Sequence, residues 1–363
     1  MAKLNILLVV PRLNIGGAES YVLTTALGLT RRGYQVCVAS WGGQLVDKLA
    51  ALGIKHYLVP IRLNSYLSSW LLEYIIKTNN ISLVHANSAA AGFAALKVCQ
   101  RMKVPLVYTA HGVFDHNKSE KVLANADKII CVSEFLRRRC LANGIPDAKL
   151  VTIYNGIDLA QFSPVPGRAF LAKREFGIPD DVFVIGMISR IKNLHTKGHG
   201  DILQMLGKYR NEKTKNWRLL IVGKGNGLSQ VKHMAGKLGL SEQVYYAGHQ
   251  TDIPKLMELI DVLLLPSDFE TFGLVLAEAM AGGKPAIAYE VGGTPEAIDD
   301  KITGFLTPKN DIDAIYSKLD ILYDNPSLRQ QLGQNGIARV RALFDSETML
   351  KQLLAVYEEV MIR

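Results

Sequence analysis

Two carboxylates flank a short turn that opens an apolar helix pattern. Glu270 and Glu278 lie on either side of Gly273, and the turn follows the apolar run Val262–Leu265, which predicts a buried strand. A strand that leads through a turn into a helix presents free backbone N–H groups and the positive end of the helix dipole to an anion. Carboxylates beside such an anion site suit sugar hydroxyls. The alternative is that Glu270 caps the helix and Glu278 lies on a solvent-exposed face.

Cations and glycines follow the neighbouring predicted strands. Arg190 comes directly after one strand, and Lys197 precedes the helix pattern that follows it. A planar guanidinium and an ammonium point charge are complementary ligands for the two phosphates of a diphosphate. Gly223 and Gly225 follow the next strand, and His249 follows the one after. Because ligands bind beyond the carboxyl ends of parallel strands, these residues together indicate a phosphate or nucleoside site.

The N-terminal half carries a weaker set of candidate residues. Gly16 and Gly17 open a helix pattern after the first strand, where glycines let a backbone approach a phosphate or a sugar closely. Their spacing is not G-x-G-x-x-G, which disfavours a dinucleotide site of the dehydrogenase kind. His111 follows a strand and precedes Gly112, so it can face a ligand as a hydrogen-bonding group. A tight turn and a structural histidine are the alternatives.

The elements that would position these residues alternate between short apolar runs and amphipathic stretches. Such alternation predicts βαβ units, parallel sheets and doubly wound topology. Strands are expected at 5–10, 35–39, 55–59, 82–85, 105–109, 128–132, 149–153, 182–188, 217–222, 243–246, 261–265 and 285–289. Helices are expected at 18–32, 44–52, 69–79, 88–101, 133–143, 199–210, 227–239, 253–259, 273–282, 311–323 and 326–341, with one more in the tail.

The alternation pauses once, between residues 154 and 167. Pro164, Pro166 and Gly167 are typical of turns and linkers there. We therefore expect an N-terminal domain over 1–163, a second over 164–343, and a terminal helix over 344–363.

Composition is that of an ordinary globular protein. The 363 residues are 48% hydrophobic and 21% charged, enough for two cores. The first apolar run, Ile6–Val10, is far shorter than the roughly 20 residues of a spanning helix and does not resemble a signal peptide, which favours the cytoplasm. The four cysteines are scattered without a CxxC pair, so we expect buried thiols and neither zinc nor disulfides.

The positive charge is unevenly placed. Residues 1–163 contain 18 Lys and Arg against 9 Asp and Glu, so the whole net charge of +9 belongs to this half. A basic half suits nucleic acid, an anionic membrane surface or a phosphorylated substrate. Nucleic acid has the least support because no basic groove interleaved with aromatic residues is visible. A peripheral contact with the inner face of the cytoplasmic membrane and a merely solvated surface both stay open.

The stretch from Glu270 to Glu278 resembles the E-x-F-G-x-x-x-x-E signature of the family 4 retaining glycosyltransferases, which have the GT-B fold. Supporting marks follow in the family's order over nearly the whole chain. They are Gly16-Gly17-Ala18-Glu19, Asn155-Gly156-Ile157-Asp158, Ser189-Arg190, Lys197-Gly198, Gly283 to Ala288, Gly292 to Glu296 and Thr303 to Leu306. The resemblance implies two Rossmann-like domains that face each other across a cleft, with acceptor binding in the first and a nucleotide-sugar donor in the second. It also implies a C-terminal helix that crosses back.

The resemblance also implies roles for individual residues. Glu270 would bind sugar hydroxyls, Glu278 the ribose hydroxyls, and Arg190 with Lys197 the diphosphate. His111 would contact the sugar near its anomeric centre. The remaining implied donor contacts are Gly16, Gly17, Gly223, Gly225, His249, Thr271, Phe272, Gly273 and Leu274.

One departure from the family's pattern concerns the cations. Six residues, Ile191 to Thr196, separate Arg190 from Lys197, where the family more often has a short loop. Lys192 is therefore a second candidate for the diphosphate contact, although Gly198 beside Lys197 favours the latter. The resemblance implies no metal, and Asp311-Ile-Asp313 is better explained by helix capping than as a metal-binding DxD.

The expected activity is transfer of a sugar from a UDP-, GDP- or ADP-sugar, with UDP favoured, to a hydroxyl acceptor with retention of configuration. The acceptor is expected to be polar or lipid-linked, as in surface polysaccharide, lipopolysaccharide or glycolipid synthesis, and read by loops at Arg62–Ser69 and Val113–Ser119. A sugar-nucleotide epimerase or hydrolase, and a non-catalytic nucleotide-sugar-binding protein, are the alternatives.

Overall fold

The computed structural model describes residues 4–14, 16–63, 65–112, 122–210 and 213–362. Its contacts divide the chain into two compact units. The first unit comprises Met1–Gly156 together with Asp345–Arg363, and the second comprises Ile157–Phe344.

The first unit is a seven-stranded parallel sheet in the order β3-β2-β1-β4-β5-β6-β7. Its strands are β1 (Asn5–Val9), β2 (Gln35–Ser40), β3 (Lys55–Leu58), β4 (Leu83–Ala86), β5 (Leu106–Ala110), β6 (Lys128–Cys131) and β7 (Leu150–Thr152). The α-helices of this unit whose bounds lie within the described part of residues 1–156 are α1 (Gly17–Arg31), α2 (Val46–Ala51), α3 (Ser65–Thr78), α4 (Ala89–Met102) and α5 (Glu134–Ala142). Strands β4, β5 and β6 are buried along their whole length, as is typical of parallel strands covered on both faces.

The last helix of the chain, which we number α14 (Ser346–Ile362), belongs to the first unit's core. Leu350 and Leu353 are fully buried there against α1, together with Tyr357. A Cβ at Gly28 of α1 would lie 2.1 Å from Leu350 Cδ1, so this glycine lets the two helices approach closely. Five π-helical residues, Val340–Phe344, precede α14.

The second unit is a six-stranded parallel sheet in the order β10-β9-β8-β11-β12-β13. Its strands are β8 (Phe183–Ile188), β9 (Trp217–Val222), β10 (Val244–Gly248), β11 (Val262–Leu265), β12 (Ala286–Tyr289) and β13 (Gly304–Thr307). Its helices are α6 (Arg168–Glu175), α7 (His199–Lys208), α8 (Leu228–Lys237), α9 (Ile253–Leu259), α10 (Leu274–Ala281), α11 (Thr294–Ala297), α12 (Ile312–Asp324) and α13 (Pro326–Arg339). Both sheets have the 3-2-1-4-5-6 order of doubly wound folds.

The sequence pattern predicts twelve of these strands, and their observed ends differ from the expected ones by at most two residues. Strand β13 was missed because it begins at a glycine, which suggests a turn in the sequence. A Cβ at Gly304 would lie 2.2 Å from the carbonyl oxygen of Ala286, so close strand pairing requires the residue that suggests a turn. Helices α6 and α11 were also missed, since α6 directly follows the proline-rich linker and α11 has four residues.

One smaller expectation, that the cysteines are buried thiols, is confirmed. All four cysteines are buried and free. Ser133 is the N-cap of α5, where its hydroxyl accepts a hydrogen bond of 3.2 Å from the Leu136 N–H. Within the described ranges, no helix is both long and apolar enough to cross a membrane.

Candidate functional site

The second unit brings its predicted residues together at the point where the strand order reverses. Strands β8 and β11 are neighbours in the sheet, and the chain leaves them in opposite directions along it. Ligands of open parallel sheets bind in the crevice outside such a pair of strand ends. Arg190 and Lys197 follow β8, whereas Glu270 follows β11.

Glu270 bridges the two sides of this crevice. Its Oε1 atom forms an ion pair with Lys197 Nζ and accepts a hydrogen bond of 2.8 Å from the hydroxyl of Ser267. The Ser267 side chain is fully buried, and the Glu270 side chain is 12% exposed. The carboxylate is thus held in a defined orientation while part of it faces solvent.

The residue at the N-cap position of α10 provides no side-chain cap. Gly273 occupies the N-cap position with φ 84°, a left-handed conformation that favours glycine. In the described part of the chain, the Glu270 carboxylate bonds to Lys197 and Ser267 and to no helix N–H, so the alternative in which Glu270 caps this helix is wrong. Thr271 and Phe272 lead into the helix, and the buried Phe272 ring packs edge-to-face on Phe344 at 5.1 Å.

Two further glycines, Gly292 and Gly293, pack against the backbone of the Glu270 turn. A Cβ at Gly292 would lie 2.0 Å from the carbonyl oxygen of Glu270, and a Cβ at Gly293 would lie 2.1 Å from that of Thr271. The N–H of Gly293 also donates to the Glu270 carbonyl at 3.0 Å. The sequence marks this glycine pair only as a family motif, and the structure gives it a physical reason.

Lys197 is positioned by the residues that follow it. Gly198 has φ 69°, and a Cβ there would lie 2.0 Å from the carbonyl oxygen of Pro266, so the loop packs directly on the end of β11. His199 is buried next in the chain, and its Nε2 atom lies 3.4 Å from the Ser189 hydroxyl. Burial, helped by the charge of Lys197, lowers the pKa of His199 to about 4.

Arg190 and Lys192 differ from Lys197 in having no ion pair or hydrogen bond with any residue that the structure describes. Both side chains are exposed. The backbone of Lys192 packs against the N-cap residue of α8, because a Cβ at Gly227 would approach the Lys192 carbonyl carbon to 2.9 Å. Lys197 is instead the cation that reaches Glu270 at the strand-order reversal. Asn193 orders the intervening loop, since its Oδ1 accepts from the Thr196 N–H at 2.7 Å.

The loop after β9 is built from glycines that touch the loop after β8. Gly223 (φ 140°) and Gly225 (φ 155°) would place a Cβ about 2 Å from the carbonyl oxygens of Ser189 and Ile191 respectively. The Gly223 N–H donates to the Gly248 carbonyl at 2.7 Å. These contacts bring the predicted residues Gly223 and Gly225 next to Ser189 and Ile191, the neighbours of Arg190, at the carboxyl ends of the strands.

Glu278 and His249 are both affected by burial. Glu278, in the second turn of α10, is partly buried, and burial raises the pKa of its carboxyl to about 7. Its carboxylate makes no hydrogen bond within the described part of the chain, and it does not lie on a fully exposed face as the alternative supposed. Burial and the nearby charge of Lys224 lower the pKa of His249.

The first unit places Gly16 and Gly17 after β1, at the corresponding reversal between β1 and β4, and His111 after β5, the next strand of the sheet. Gly16 and Gly17 begin α1, and Gly16 is in extended backbone at φ 177°. His111 follows β5, and its ring contacts the Tyr21 ring edge-to-face at 4.9 Å. Burial lowers the pKa of His111 to about 3, so its imidazole is neutral at physiological pH. The expected acceptor loop at Val113–Ser119 lies outside the described residues.

A buried polar network behind His111 was missed by the sequence analysis. The ring nitrogens of His85, on β4, bond to Tyr357 Oη at 2.7 Å and to Thr109 Oγ1 at 2.6 Å. His85, Thr109 and Tyr357 are fully buried, and Tyr21 lies against His85 with ring centroids 6.2 Å apart. No local pattern could have paired a strand histidine with a tyrosine of the last helix.

The expected capping role of Asp311 is confirmed. Its side chain accepts a hydrogen bond of 2.8 Å from the Ala314 N–H at the start of α12, and Asp313 pairs with Lys208. Among the described ranges, no group of three or more His, Cys, Asp or Glu side chains could hold a metal ion.

Two parallel-sheet units of this doubly wound kind are the fold of the GT-B glycosyltransferases. The model of the glycosyl transferases group 1 matches residues 170–339, and the model of Glycosyltransferase Family 4 matches residues 15–161. The chain belongs to family 4 of the glycosyltransferases and has the GT-B fold.

Three similar proteins are consistent with this class. The D-inositol 3-phosphate glycosyltransferase of Mycobacterium tuberculosis is 28% identical over 385 residues, which cover 94% of this chain and 78% of that protein. A glycosyltransferase from Rickettsia africae superposes with a TM-score of 0.87 at 26% identity and covers 99% of both chains. The Anabaena protein HepE, in complex with UDP and glucose, has a TM-score of 0.88 at 22% identity and covers 98% of this chain and 99% of its own.

Proposed function

We propose that this glycosyltransferase moves a sugar from a nucleoside-diphosphate-sugar to a hydroxyl acceptor with retention of configuration, and that the donor binds at the carboxyl end of the second unit's sheet. The ion pair between Lys197 and Glu270 carries the proposal. It joins an ammonium group and a carboxylate beside the N-terminus of α10. A diphosphate and a sugar need these two kinds of group side by side.

The departing nucleoside diphosphate is the centre of the proposed chemistry. Arg190, exposed and without an ion partner in the described chain, binds one phosphate through its guanidinium fork. Lys197 and the N–H groups from Thr271 to Leu274 at the start of α10 stabilise the charge that develops as the sugar–phosphate bond breaks. This stabilisation accounts for departure of the leaving group without a strong protein nucleophile.

The sugar and the ribose are assigned to the two carboxylates. Glu270 accepts hydrogen bonds from sugar hydroxyls, because its orientation is held by Ser267 while its exposed edge stays open. Glu278 accepts hydrogen bonds from the ribose hydroxyls, and Gly223, Gly225 and His249 line the nucleoside side. Gly16, Gly17 and neutral His111 are proposed contacts of the donor from the first unit.

UDP-glucose is the first donor to test, since the Anabaena relative holds UDP and glucose. We further propose that the acceptor is a polar or lipid-linked precursor of a surface polysaccharide, lipopolysaccharide or glycolipid. The net charge of +9, confined to the first half of the sequence, supports an anionic or membrane-borne acceptor.

The decisive experiment compares Glu270→Gln with the unchanged protein. We expect binding of UDP to persist, because UDP lacks the sugar that Glu270 binds. A thermal-shift assay measures this binding, since ligand at 100 times Kd stabilises the protein by about 2.7 kcal/mol. Turnover of the sugar nucleotide should fall by about 100-fold or more, since the sugar loses a charged hydrogen-bond partner close to the reacting carbon. Full turnover in this variant would overturn the site assignment.

Matched controls separate the remaining possibilities. Asp268→Asn changes an exposed carboxylate two residues away and should leave turnover unaltered. Arg190→Gln and Lys197→Gln should each weaken UDP binding, whereas a larger loss in Lys192→Gln would move the diphosphate contact to Lys192. Analysis of the product's anomeric configuration tests retention. Isomerisation of the donor without an acceptor would indicate an epimerase, and binding without any turnover would indicate a non-catalytic protein.

A further inference from the structure

Helix α3 of the first unit exposes a stripe of aromatic side chains. Tyr66, Trp70 and Tyr74 recur every four residues and are 90%, 63% and 53% exposed. The Trp70 and Tyr74 rings stack on each other at 6.1 Å with an interplanar angle of 17°. Leu63 and Leu67, 68% and 43% exposed, extend the apolar surface. Such a stripe on a helix that buries its opposite side is costly to leave in water.

Helix α4 packs beside α3 and adds charge to the same surface. The two helices are joined by an ion pair between Arg101 and Glu73, and Glu73 also pairs with Lys77 at 2.8 Å. Phe93 and Lys97 precede Arg101 at intervals of four residues, and both are exposed. The stacked aromatic residues of α3 are therefore continuous with a row of α4 side chains. We call this α3–α4 surface the aromatic–basic face.

The aromatic–basic face has a clear excess of positive charge. Its one acidic side chain in the described part of α3 and α4 is Glu73, which is neutralised by two cations. Lys97 and Lys103 of the α4 end, and Arg62 before α3, form no ion pair with any described residue. The face thus offers uncompensated cations around an apolar stripe.

We propose that the aromatic–basic face docks on a lipid bilayer that contains anionic headgroups. Tyr and Trp favour the boundary between water and acyl chains, where an apolar ring and a polar tip are both accommodated. A helix that lies in the interface buries its apolar side while surrounding Lys and Arg attract the anionic lipid. Charge complementarity favours this occupant over a second copy of the chain, whose own face would be equally basic.

Docking would keep the first unit at a membrane surface, where a lipid-linked acceptor is found. This inference extends the proposed function by giving the acceptor a location. Its test measures binding to vesicles and does not require sugar transfer. Membrane binding and sugar transfer can therefore fail separately.

The first experiment measures sedimentation of the full chain with vesicles. We expect binding to phosphatidylcholine vesicles that contain about one-third phosphatidylglycerol, and little binding to pure phosphatidylcholine. Fluorescence gives an independent readout, because Trp70 is 63% exposed whereas Trp217 is 1% exposed and Trp41 is partly buried. Vesicle binding should shift the emission to shorter wavelength, and Trp70→Phe should remove this shift while binding persists.

Paired variants locate the surface. Tyr66→Ser with Trp70→Ser should lower vesicle affinity by at least tenfold, since two large rings lose their contact with lipid. The matched control is Phe170→Ser with Leu171→Ser, two exposed apolar residues of α6 in the second unit, 49% and 65% exposed. This control should bind as the unchanged protein does.

Charge variants test the second half of the proposal. Lys97→Gln with Lys103→Gln should reduce affinity for anionic vesicles by about fivefold for each cation. Absence of binding to anionic vesicles, or equal binding by the Tyr66 and Trp70 variant, would overturn the proposal. So would a dimer in light scattering that becomes a monomer in that variant, because the face would then be a protein interface. Unfolding curves confirm that the variants are folded.

Discussion

At the scale of single residues, burial assigns different protonation states to the candidate site's groups. Neutral His111 can donate a hydrogen bond through one ring nitrogen and accept one through the other. Because it carries no charge, it neither repels a cation nor forms an ion pair with a phosphate. His85 behind it is also neutral, since burial, and then repulsion by the protonated form of His111, lower its pKa to about 3. One ring nitrogen of His85 must donate and the other accept, so Tyr357 and Thr109 together hold the ring in one orientation.

Glu278 leads to a prediction about pH. Its folded-state pKa of about 7 exceeds the ordinary value of 4.5, so the folded state holds a proton that the unfolded chain has released. The free energy of unfolding should therefore decrease as pH rises from about 5 to 8, by on the order of 2 kcal/mol. Denaturant unfolding at both pH values measures this loss.

The Glu278→Gln variant is the control for this pH effect. Glutamine is close in size to a protonated glutamate but does not ionise, so the variant should lose less stability between pH 5 and 8. If the two proteins show equal pH slopes, the effect belongs to other groups. With UDP bound, the ribose hydroxyls should favour the ionised carboxylate and reduce the slope of the unchanged protein.

At the scale of elements, the site depends on turns that press against one another. The loop before α7 rests on the end of β11 through Gly198, and the Glu270 turn rests on Gly292 and Gly293. Neither contact involves a long side chain, so neither can relax by a change of rotamer. The relative positions of Lys197 and Glu270 are therefore set by backbone packing.

Gly198→Ala tests this packing. The new Cβ would lie 2.0 Å from the Pro266 carbonyl oxygen, and the left-handed φ of 69° adds a further cost. We expect a loss of about 3 kcal/mol or more in the free energy of unfolding, together with weaker UDP binding as Lys197 is displaced.

Gly177→Ala is a closely matched control. Gly177 has φ 68°, but a Cβ there would meet nothing within 4 Å. It should cost only about 1 kcal/mol, the conformational part of the penalty. Equal losses in the two variants, measured by urea unfolding, would show that the clash at Pro266 is relieved cheaply.

At the scale of the whole molecule, the chain passes from the first unit into the second and returns. Residues 345–363 complete the first unit's core, although the whole second unit separates them from it in sequence. The interruption at 154–167 predicted one boundary, and the contacts divide the chain after Gly156 and again after Phe344. The first unit is thus incomplete until the last helix has been synthesised.

Leu353→Ala should show this dependence. Leu353 is fully buried in the first unit's core, so its truncation should cost about 2 to 5 kcal/mol. Hydrogen exchange should become faster in β1, β4 and α1, which belong to that unit, while peptides from β8 and β11 keep their protection. Gln352→Ala, at the exposed neighbouring position, is the control and should change neither. Equal acceleration in both units would contradict the division.

The sequence by itself determined the alternation of strands and helices, because buried parallel strands are continuous apolar runs and helices show their own period. It also placed Arg190 and Glu270 after strands, Lys197 just before the following helix and Glu278 within one. Local patterns could not predict β13, whose glycine is required by a carbonyl on the neighbouring strand. They could not predict the Tyr357–His85 contact or the bond between Lys197 and Glu270 either, since each joins residues far apart in the chain.

Tertiary structure decided what the residues around Gly273 do. On spacing alone, Glu270 could have capped a helix and Glu278 could have faced water. Packing instead turns Glu270 toward Lys197 and Ser267, and removes Glu278 from much of its solvent. Sequence spacing specifies which groups are near a turn, but their orientation and hydration depend on the neighbours that folding brings to them.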